Sequence, residues 1–391
     1  MFNPEKSTCA YREAFGNKER SAVKEVLNYY KRRKEDPPYY GEFQKRYEAL
    51  FTEKMDGQGN SRAVSTGSVA CYIALRAANL RPGSEVILSP VTDSSPLFAI
   101  IECGLKPVIA DCKRNSYNIC PESISRLIND ETSAIFLIHA GGDPADIALI
   151  EKIGDENGIE IIEDISQSPF AKAYGKENIL KNVGTFGMIS ACSTMYRKTL
   201  QTSSSGGIIY AKNIEDYRRV LEISDRGKQT WREDYDMRDP GSASLVSLNY
   251  NTDEISCAVG HASLSRIEKV IENRQWVKKE IYDIFSENSM FILPEYKENT
   301  SPFLQPVFVK DEYLEIKSKI TKQLSHNGVK LSPEYKCFVC NWDITKRLTD
   351  KIEKSNAVIN YKKAFNIFLN EKCNAQNMSI LKEAVKKLDN I

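Results

Sequence analysis

Ile159-Glu160-Ile161-Ile162-Glu163-Asp164 is an apolar run that ends in two acids, and three similar short runs precede it at residues 85–88, 106–110 and 134–139. Each is too short for a core helix and reads as a buried strand. Between them, and before the first, residues 69–80, 97–103, 121–128 and 147–157 carry helical spacing. Strand and helix therefore alternate, which predicts an α/β fold: a mostly parallel mixed sheet with helices on both faces. In such sheets functional groups gather at the carboxyl ends of strands, so Asp164 is a candidate by position.

Working outward, residues 1–60 are charged and helical in pattern. Asp36-Pro37-Pro38 breaks them before a second helix over 42–55. The alternation begins at Ser61. Beyond Asp164, residues 184–190 and 206–211 read as β structure, and 214–225 and 254–280 as helices. From about residue 291 the pattern changes to a strand over 303–309, a helix over 311–326 and a closing helix over 378–390. The expected organisation is an N-terminal helical arm (1–60), a large domain (61–280) and a smaller C-terminal α+β domain (281–391).

Lysine and arginine number 54 against 53 acids, so no global field draws nucleic acid or an anionic membrane. Any anion must be held by local geometry. No positive segment joins an apolar one at the start, and no uncharged run reaches about 18 residues. The ten cysteines have no regular spacing. They read as reduced thiols in a cytoplasmic protein. Cys337 and Cys340 form a C-x-x-C without a second pair, and three histidines do not make a metal cluster, so no metal is expected. G-x-x-x-x-G-K-[ST] and G-x-G-x-x-G are both absent from the sequence, which removes the main support for P-loop and Rossmann readings.

Three segments carry chemistry instead. Ser65-Thr66-Gly67-Ser68 feeds a helix whose first amides make an anion site suited to phosphate, although Ser and Thr there also serve as helix caps. Asp164 would keep a pyridine nitrogen protonated or cap the turn that follows it; both readings stand. Ser193-Thr194-Met195-Tyr196-Arg197-Lys198 precedes Ser203-Ser204-Ser205-Gly206-Gly207. A lysine between a strand and a glycine-rich return can be held neutral and attack an aldehyde, whereas a loop lysine is commonly just solvated. Arg226, Lys228, Trp231 and Arg232 would contact a sugar nucleotide or form a solvated loop. Tyr39 and Tyr40 are further candidates to line a site.

Phosphate loop, acid at a strand end and lysine 34 residues after the acid stand in an order that resembles the fold-type I PLP enzymes. More narrowly, the chain is similar to the DegT/StrS family of nucleotide-sugar aminotransferases. Thr66-Gly67-Ser68 stands where that family has Ser-Gly-Thr, and Pro82-Gly83-Ser84-Glu85-Val86-Ile87 resembles its Pro-Gly-Asp-Glu-Val-Ile. Glu163-Asp164-Ile165-Ser166-Gln167 matches Glu-Asp-x-x-Gln, and Gly184-Thr185-Phe186-Gly187 precedes the lysine segment. Asn249-Tyr250-Asn251 looks like its Asn-Tyr-Arg.

The resemblance implies pyridoxal 5′-phosphate (PLP) as cofactor, with Lys198 as the Schiff-base lysine and proton shuttle and Asp164 on the pyridinium nitrogen. It places Gln167 near the phenolic oxygen, and Gly67, Ser68 and Ser193 at the phosphate. Asn249 would reach that phosphate across a homodimer with composite active sites.

The chain departs from the family at three places. Asp93, in Val91-Thr92-Asp93-Ser94-Ser95-Pro96, stands where an aromatic residue usually stacks on the PLP ring. It reads as a cap for the next helix, as a cofactor contact, or as both. Loss of stacking would weaken PLP retention by about 1 kcal/mol. Ser205 replaces a usual acid, and Arg197 puts a cation beside the lysine. Some relatives replace the lysine with histidine and become dehydratases, so Lys198 favours transamination. The implied activity is amino transfer from glutamate or glutamine to a nucleotide-linked keto-sugar, serving an amino-deoxy sugar of a surface polysaccharide or natural product. The alternatives are a PLP-dependent sugar dehydratase, a cyclitol aminotransferase, or a non-catalytic PLP-fold sensor motivated by Asp93 and Ser205.

Overall fold

A computed structural model describes residues 7–236 and 238–390. In chain order the first elements are α1 (Asn17–Arg33), α2 (Glu42–Met55), β1 (Asn60–Val64), α3 (Gly67–Ala77), β2 (Glu85–Leu88), α4 (Ser94–Glu102), β3 (Lys106–Ile109), α5 (Pro121–Leu127), β4 (Thr132–Ile138), α6 (Ile147–Asn157) and β5 (Glu160–Asp164). A short hairpin, β6 (Lys172–Tyr174) and β7 (Leu180–Asn182), leads to β8 (Ile189–Ser193), β9 (Gly207–Ala211), α7 (Ile214–Ser224), α8 (Glu254–Leu264) and α9 (Ile267–Ser286). The chain closes with β10 (Phe291–Ile292), β11 (Leu304–Val309), α10 (Lys317–His326), β12 (Leu331–Ser332), α11 (Asp343–Leu348), α12 (Ser355–Lys363), β13 (Ala364–Phe368) and α13 (Ala375–Lys386).

The main sheet has seven strands in the order β1-β9-β8-β5-β4-β2-β3. Its pairs from β8 to β3 are parallel, and β9 runs antiparallel to both its neighbours. Alternate strand residues feed two cores. Phe136 and Ile138 of β4 join Ile73 and Ala74 of α3 and Leu97 and Ile100 of α4 on one face. Ile135 and Leu137 join Tyr47 and Phe51 of α2, Ile150 of α6 and Leu264 of α8 on the other. Burial on both faces is why these strands are continuous apolar runs rather than alternating ones. The fold is thus the expected α/β arrangement with a mostly parallel mixed sheet, and a smaller antiparallel sheet β10-β11-β13-β12 lies beyond it. A third core lies under that sheet, where Val277, Ile281 and Phe285 of α9 meet Val307, Phe365 and Leu381. Ile267 and Val270, at the start of α9, belong to the large-sheet core, so this helix ties the two sheets together.

Several elements differ from expectation for local reasons. The helix expected over 254–280 is two helices, broken at Ser265 and Arg266. Ser265 Oγ donates to the Ala262 carbonyl at 2.8 Å, a side-chain bond that competes with the helical ladder. The strand expected from residue 184 begins at Ile189, because the Gly184, Phe186 and Gly187 amides donate to the Glu163 carboxylate instead of a neighbouring strand. The helix expected over 311–326 is a 3-10 segment (Asp311–Ile316) followed by α10. The closing helix starts earlier, at Ala375, where Asn374 and Asn377 cap one another.

Candidate functional site

The carboxyl ends of β5 and β8 and the N-terminus of α3 converge. Thr66 caps α3, its Oγ1 accepting from the Val69 amide at 3.0 Å. Gly67 is required by proximity: a Cβ there would lie 2.4 Å from Ser193 Cβ and 2.6 Å from Ser193 Oγ. The helix end, with its unpaired amides, is therefore pressed against the end of β8. Ser68 Oγ lies 2.7 Å from Ser95 Oγ, which donates to Asp93 Oδ1 at 3.0 Å. Asp93 caps α4 through the Ser95 amide at 3.2 Å, as the capping alternative expects.

Asp164 is buried at the end of β5. Its Oδ1 accepts from the Ser166 amide at 2.7 Å, and Cys71 Sγ lies 3.9 Å from Oδ2. Burial pushes the carboxyl pKa up, while the Ser166 bonds and the Lys198 charge oppose that rise. Asp164 thus caps the turn with one oxygen only. Ser166 Oγ accepts from the Ser193 amide at 2.7 Å, tying the β5 turn to the end of β8. Beside it, fully buried Glu163 accepts from the Gly184, Phe186 and Gly187 amides and contacts His139 Nε2 at 2.9 Å. His139 Nδ1 accepts from the Ala145 amide, so the proton sits on Nε2. This acid braces the floor under Asp164.

Gln167 Oε1 accepts from the Gly141 amide at 2.8 Å, and the Gly141 carbonyl accepts from the Phe303 amide at 3.1 Å. Lys198 Nζ stands 4.9 Å from the centre of the Phe303 ring. The lysine loop is closed at its base by Thr202 N to Thr194 O and by Thr194 N to Gly206 O, each 2.9 Å. Ser205 Oγ donates to the Ser65 carbonyl at 3.0 Å, and Arg197 folds over the Tyr196 ring at 5.3 Å.

Gly67, Ser68, Asp93, Asp164, Gln167, Ser193 and Lys198 are thus linked through these short contacts. Asn249 is exposed, and its Oδ1 accepts from the backbone and side-chain nitrogens of Asn251. The Tyr250 carbonyl accepts from the Ser65 amide at 3.0 Å, so this segment borders the α3 end. The basic stretch is paired locally: Arg226 with Asp225, Arg232 with Asp234. Tyr40 lies under Arg62, 4.7 Å from ring centre to guanidinium. Among the described residues no group of three or more His, Cys, Asp or Glu is placed to hold a metal.

Sequence reading missed the contribution of the smaller sheet. Phe303 and Tyr335 reach the site from beyond residue 300: Phe303 faces Lys198 Nζ, and Tyr335 hydrogen-bonds Gln167 while stacking on Tyr117 at 5.1 Å. The Cys337 carbonyl accepts from the Thr92 amide at 2.9 Å. Burial raises the Cys337 thiol pKa, with Asp93 pushing the same way and Lys198 the other. Cys337 is therefore a neighbour of the site.

A pressed helix N-terminus, a buried acid and a lysine on a closed loop suit a phosphorylated pyridine aldehyde, and the family match agrees. Residues 17–372 match the DegT/DnrJ/EryC1/StrS aminotransferase family. The chain belongs to that family. It is similar to the GDP-perosamine synthases of Vibrio cholerae, at 28% identity over 75% of this chain and 76% of the relative, and of Escherichia coli O157:H7, at 28% over 67% of each. Among solved structures, an aminotransferase from Psychrobacter cryohalolentis superposes with a TM-score of 0.87 at 21% identity, covering 98% of this chain and 99% of the other. A mutant GDP-4-keto-6-deoxymannose-3-dehydratase with bound GDP-perosamine gives 0.84 at 22%, over 97% and 99%. As a family member the chain is an aminotransferase, and solved structures of the same fold are described with bound PMP and with a trapped PLP-glutamate geminal diamine.

Proposed function

We propose that this enzyme transfers an amino group from glutamate or glutamine to a keto-sugar carried on a nucleotide, for an amino-deoxy sugar of a surface polysaccharide or natural product. The observation that carries the reading is Lys198 itself: a lysine, held on a closed loop against Phe303, with its charge felt by the buried Asp164. The GDP-perosamine synthase relatives support a nucleotide-linked substrate.

Bound PLP supplies an electron sink for the bond changes at the donor and acceptor carbons. Gly67, Ser68 and Ser193 would hold its phosphate at the α3 N-terminus, where amides and helix dipole favour an anion. Asp164 would keep the pyridine nitrogen protonated, Gln167 would hydrogen-bond near the phenolic oxygen, and Asp93, which caps α4, would contact the cofactor. Lys198 Nζ, once neutral, takes the proton from Cα of the amino donor and later delivers one to the former ketone carbon of the sugar. The protein acts as a homodimer in which the partner subunit's Asn249 completes the phosphate site. Exposed Val246 and Leu248, 89% and 66% accessible beside that segment, supply apolar surface for the second copy. Residues 1–60 form the arm, 61–280 the cofactor domain and 281–391 the cap. The protein works in the cytoplasm, in keeping with ten free cysteines.

The test is to charge the purified enzyme with glutamate and screen nucleotide keto-sugars, GDP-linked ones first, against it. Amination with 2-oxoglutarate formed stoichiometrically supports the proposal. Loss of sugar hydroxyl without amination makes it a dehydratase, and a bound cofactor that never accepts the amino group makes it a sensor.

A further inference from the structure

We propose that Arg12, Glu371 and Arg274 are positioning residues that fix where the Lys198 amine stands, through a closed circuit running behind the lysine loop and returning under its side chain. The inference rests on the reading of Lys198 as the reactive amine.

The circuit begins on the N-terminal arm. Arg12 donates to the carbonyls of Tyr196 at 3.2 Å, Lys198 at 2.8 Å and Thr199 at 3.4 Å. One guanidinium thus gathers three carbonyls of the loop, a task suited to its rigid fork of donors. Its Nε pairs with Glu371 Oε1 at 3.0 Å. The other oxygen, Oε2, takes Nε and Nη2 of Arg274, both at 2.9 Å.

Arg274 is fully buried on α9. Its Nη1 donates to Thr199 Oγ1 at 3.3 Å and to the Pro302 carbonyl at 3.0 Å. Pro302 precedes Phe303, the ring that Lys198 Nζ faces. The same carboxylate therefore joins the group that holds the lysine's backbone to the group that holds the surface beneath its amine. Burial would raise the Glu371 pKa, but the two guanidiniums outweigh it and bring it down to about 2, so the circuit stays charged at working pH.

The arm is docked for this task. Thr8 N donates to the Gly328 carbonyl at 3.1 Å, Asn377 Nδ2 to the Ser7 carbonyl at 2.7 Å and Asn370 Nδ2 to the Ala10 carbonyl at 2.8 Å. Arg12 is thereby carried on a strap fixed to the smaller domain.

The experiment compares wild type, Arg12→Ala, Arg12→Lys and Glu371→Gln, with circular dichroism and melting to check folding. In PLP-free protein, reductive methylation with formaldehyde and cyanoborohydride is followed at Lys198 by peptide mass spectrometry, with the exposed Lys346 as reference. Arg12→Ala is expected to change the Lys198 rate severalfold and leave Lys346 unchanged, with Arg12→Lys intermediate. In the PLP-loaded enzyme, kcat per bound cofactor should fall roughly 10- to 100-fold, the cost of misplacing a reacting group by about 1 Å, with donor KM within about threefold. Glu371→Gln should move both readouts the same way. The proposal is overturned if Arg12→Ala and Glu371→Gln leave Lys198 labelling and kcat unaltered, or if activity is lost only in proportion to melting or cofactor occupancy. Borohydride fixation of PLP on a lysine other than Lys198 in wild type would sink the functional reading, while Arg12-dependent labelling of Lys198 would still report the circuit.

Discussion

Replacing Asp164 by Asn separates the two tasks assigned to that side chain. The amide oxygen of Asn still accepts from the Ser166 amide, which meets Asp164 Oδ1 at 2.7 Å, so the turn after β5 keeps its cap. What disappears is the charge. Burial pushes the Asp164 pKa above its ordinary value. A carboxyl with a raised folded-state pKa makes the folded state less stable once pH climbs above the unfolded value. Without PLP, Asp164→Asn should therefore be at least as stable as wild type near neutral pH. That advantage should vanish as pH falls below the usual carboxylate range, where wild type is also neutral. In the loaded enzyme the sign reverses. A hydrogen bond to a charged partner contributes about 1.5–3 kcal/mol, which corresponds to roughly 10- to 150-fold in rate if it acts in the rate-limiting step. Thermal melts of the cofactor-free protein and stopped-flow rates of the donor half-reaction measure the two effects. A variant that melts several degrees lower yet reacts within twofold of wild type would refute both the burial cost of the Asp164 charge and its role at the cofactor.

Gly67→Ala would set a Cβ 2.4 Å from Ser193 Cβ. Overpacking of about 1–3 kcal/mol should displace the helix end and weaken PLP retention by roughly 10- to 100-fold, as read by cofactor titration; unchanged affinity would contradict the phosphate assignment. Glu371 has a folded pKa lowered from 4.5 to about 2, so its contribution is present above about pH 4.5 and is lost as pH falls toward 2. That difference corresponds to about 3 kcal/mol, and Glu371→Gln should flatten the acid limb of an unfolding-versus-pH curve over that window.

The large sheet was legible because strands buried on both faces must be apolar throughout, and helices between them must carry the 3.6-residue spacing. What local patterns missed was set by side-chain competition. Ser265 breaks the long helix with its hydroxyl, and Glu163 takes the amides that would have extended β8. The loop before α3, the acid and the lysine could be singled out as candidates because each is local to one strand end. Phe303, Tyr335 and Glu371 were not, since the partners named above lie 97 or more residues away and no spacing encodes such contacts. Arg274 did leave a trace. It lies on the stripe of Val270, Val277 and Ile281, all buried, and a cation on an apolar stripe implies a buried counter-charge.

The central claim is that Lys198 carries the cofactor and the reaction. Borohydride reduction of the PLP-loaded enzyme, followed by peptide mass spectrometry, tests it most directly. The account predicts a PLP-derived mass on the peptide containing Lys198 alone, and loss of both the visible cofactor absorbance and amino transfer in Lys198→Ala. Label on a different lysine, or one shared spectrum for wild type and Lys198→Ala, would contradict it.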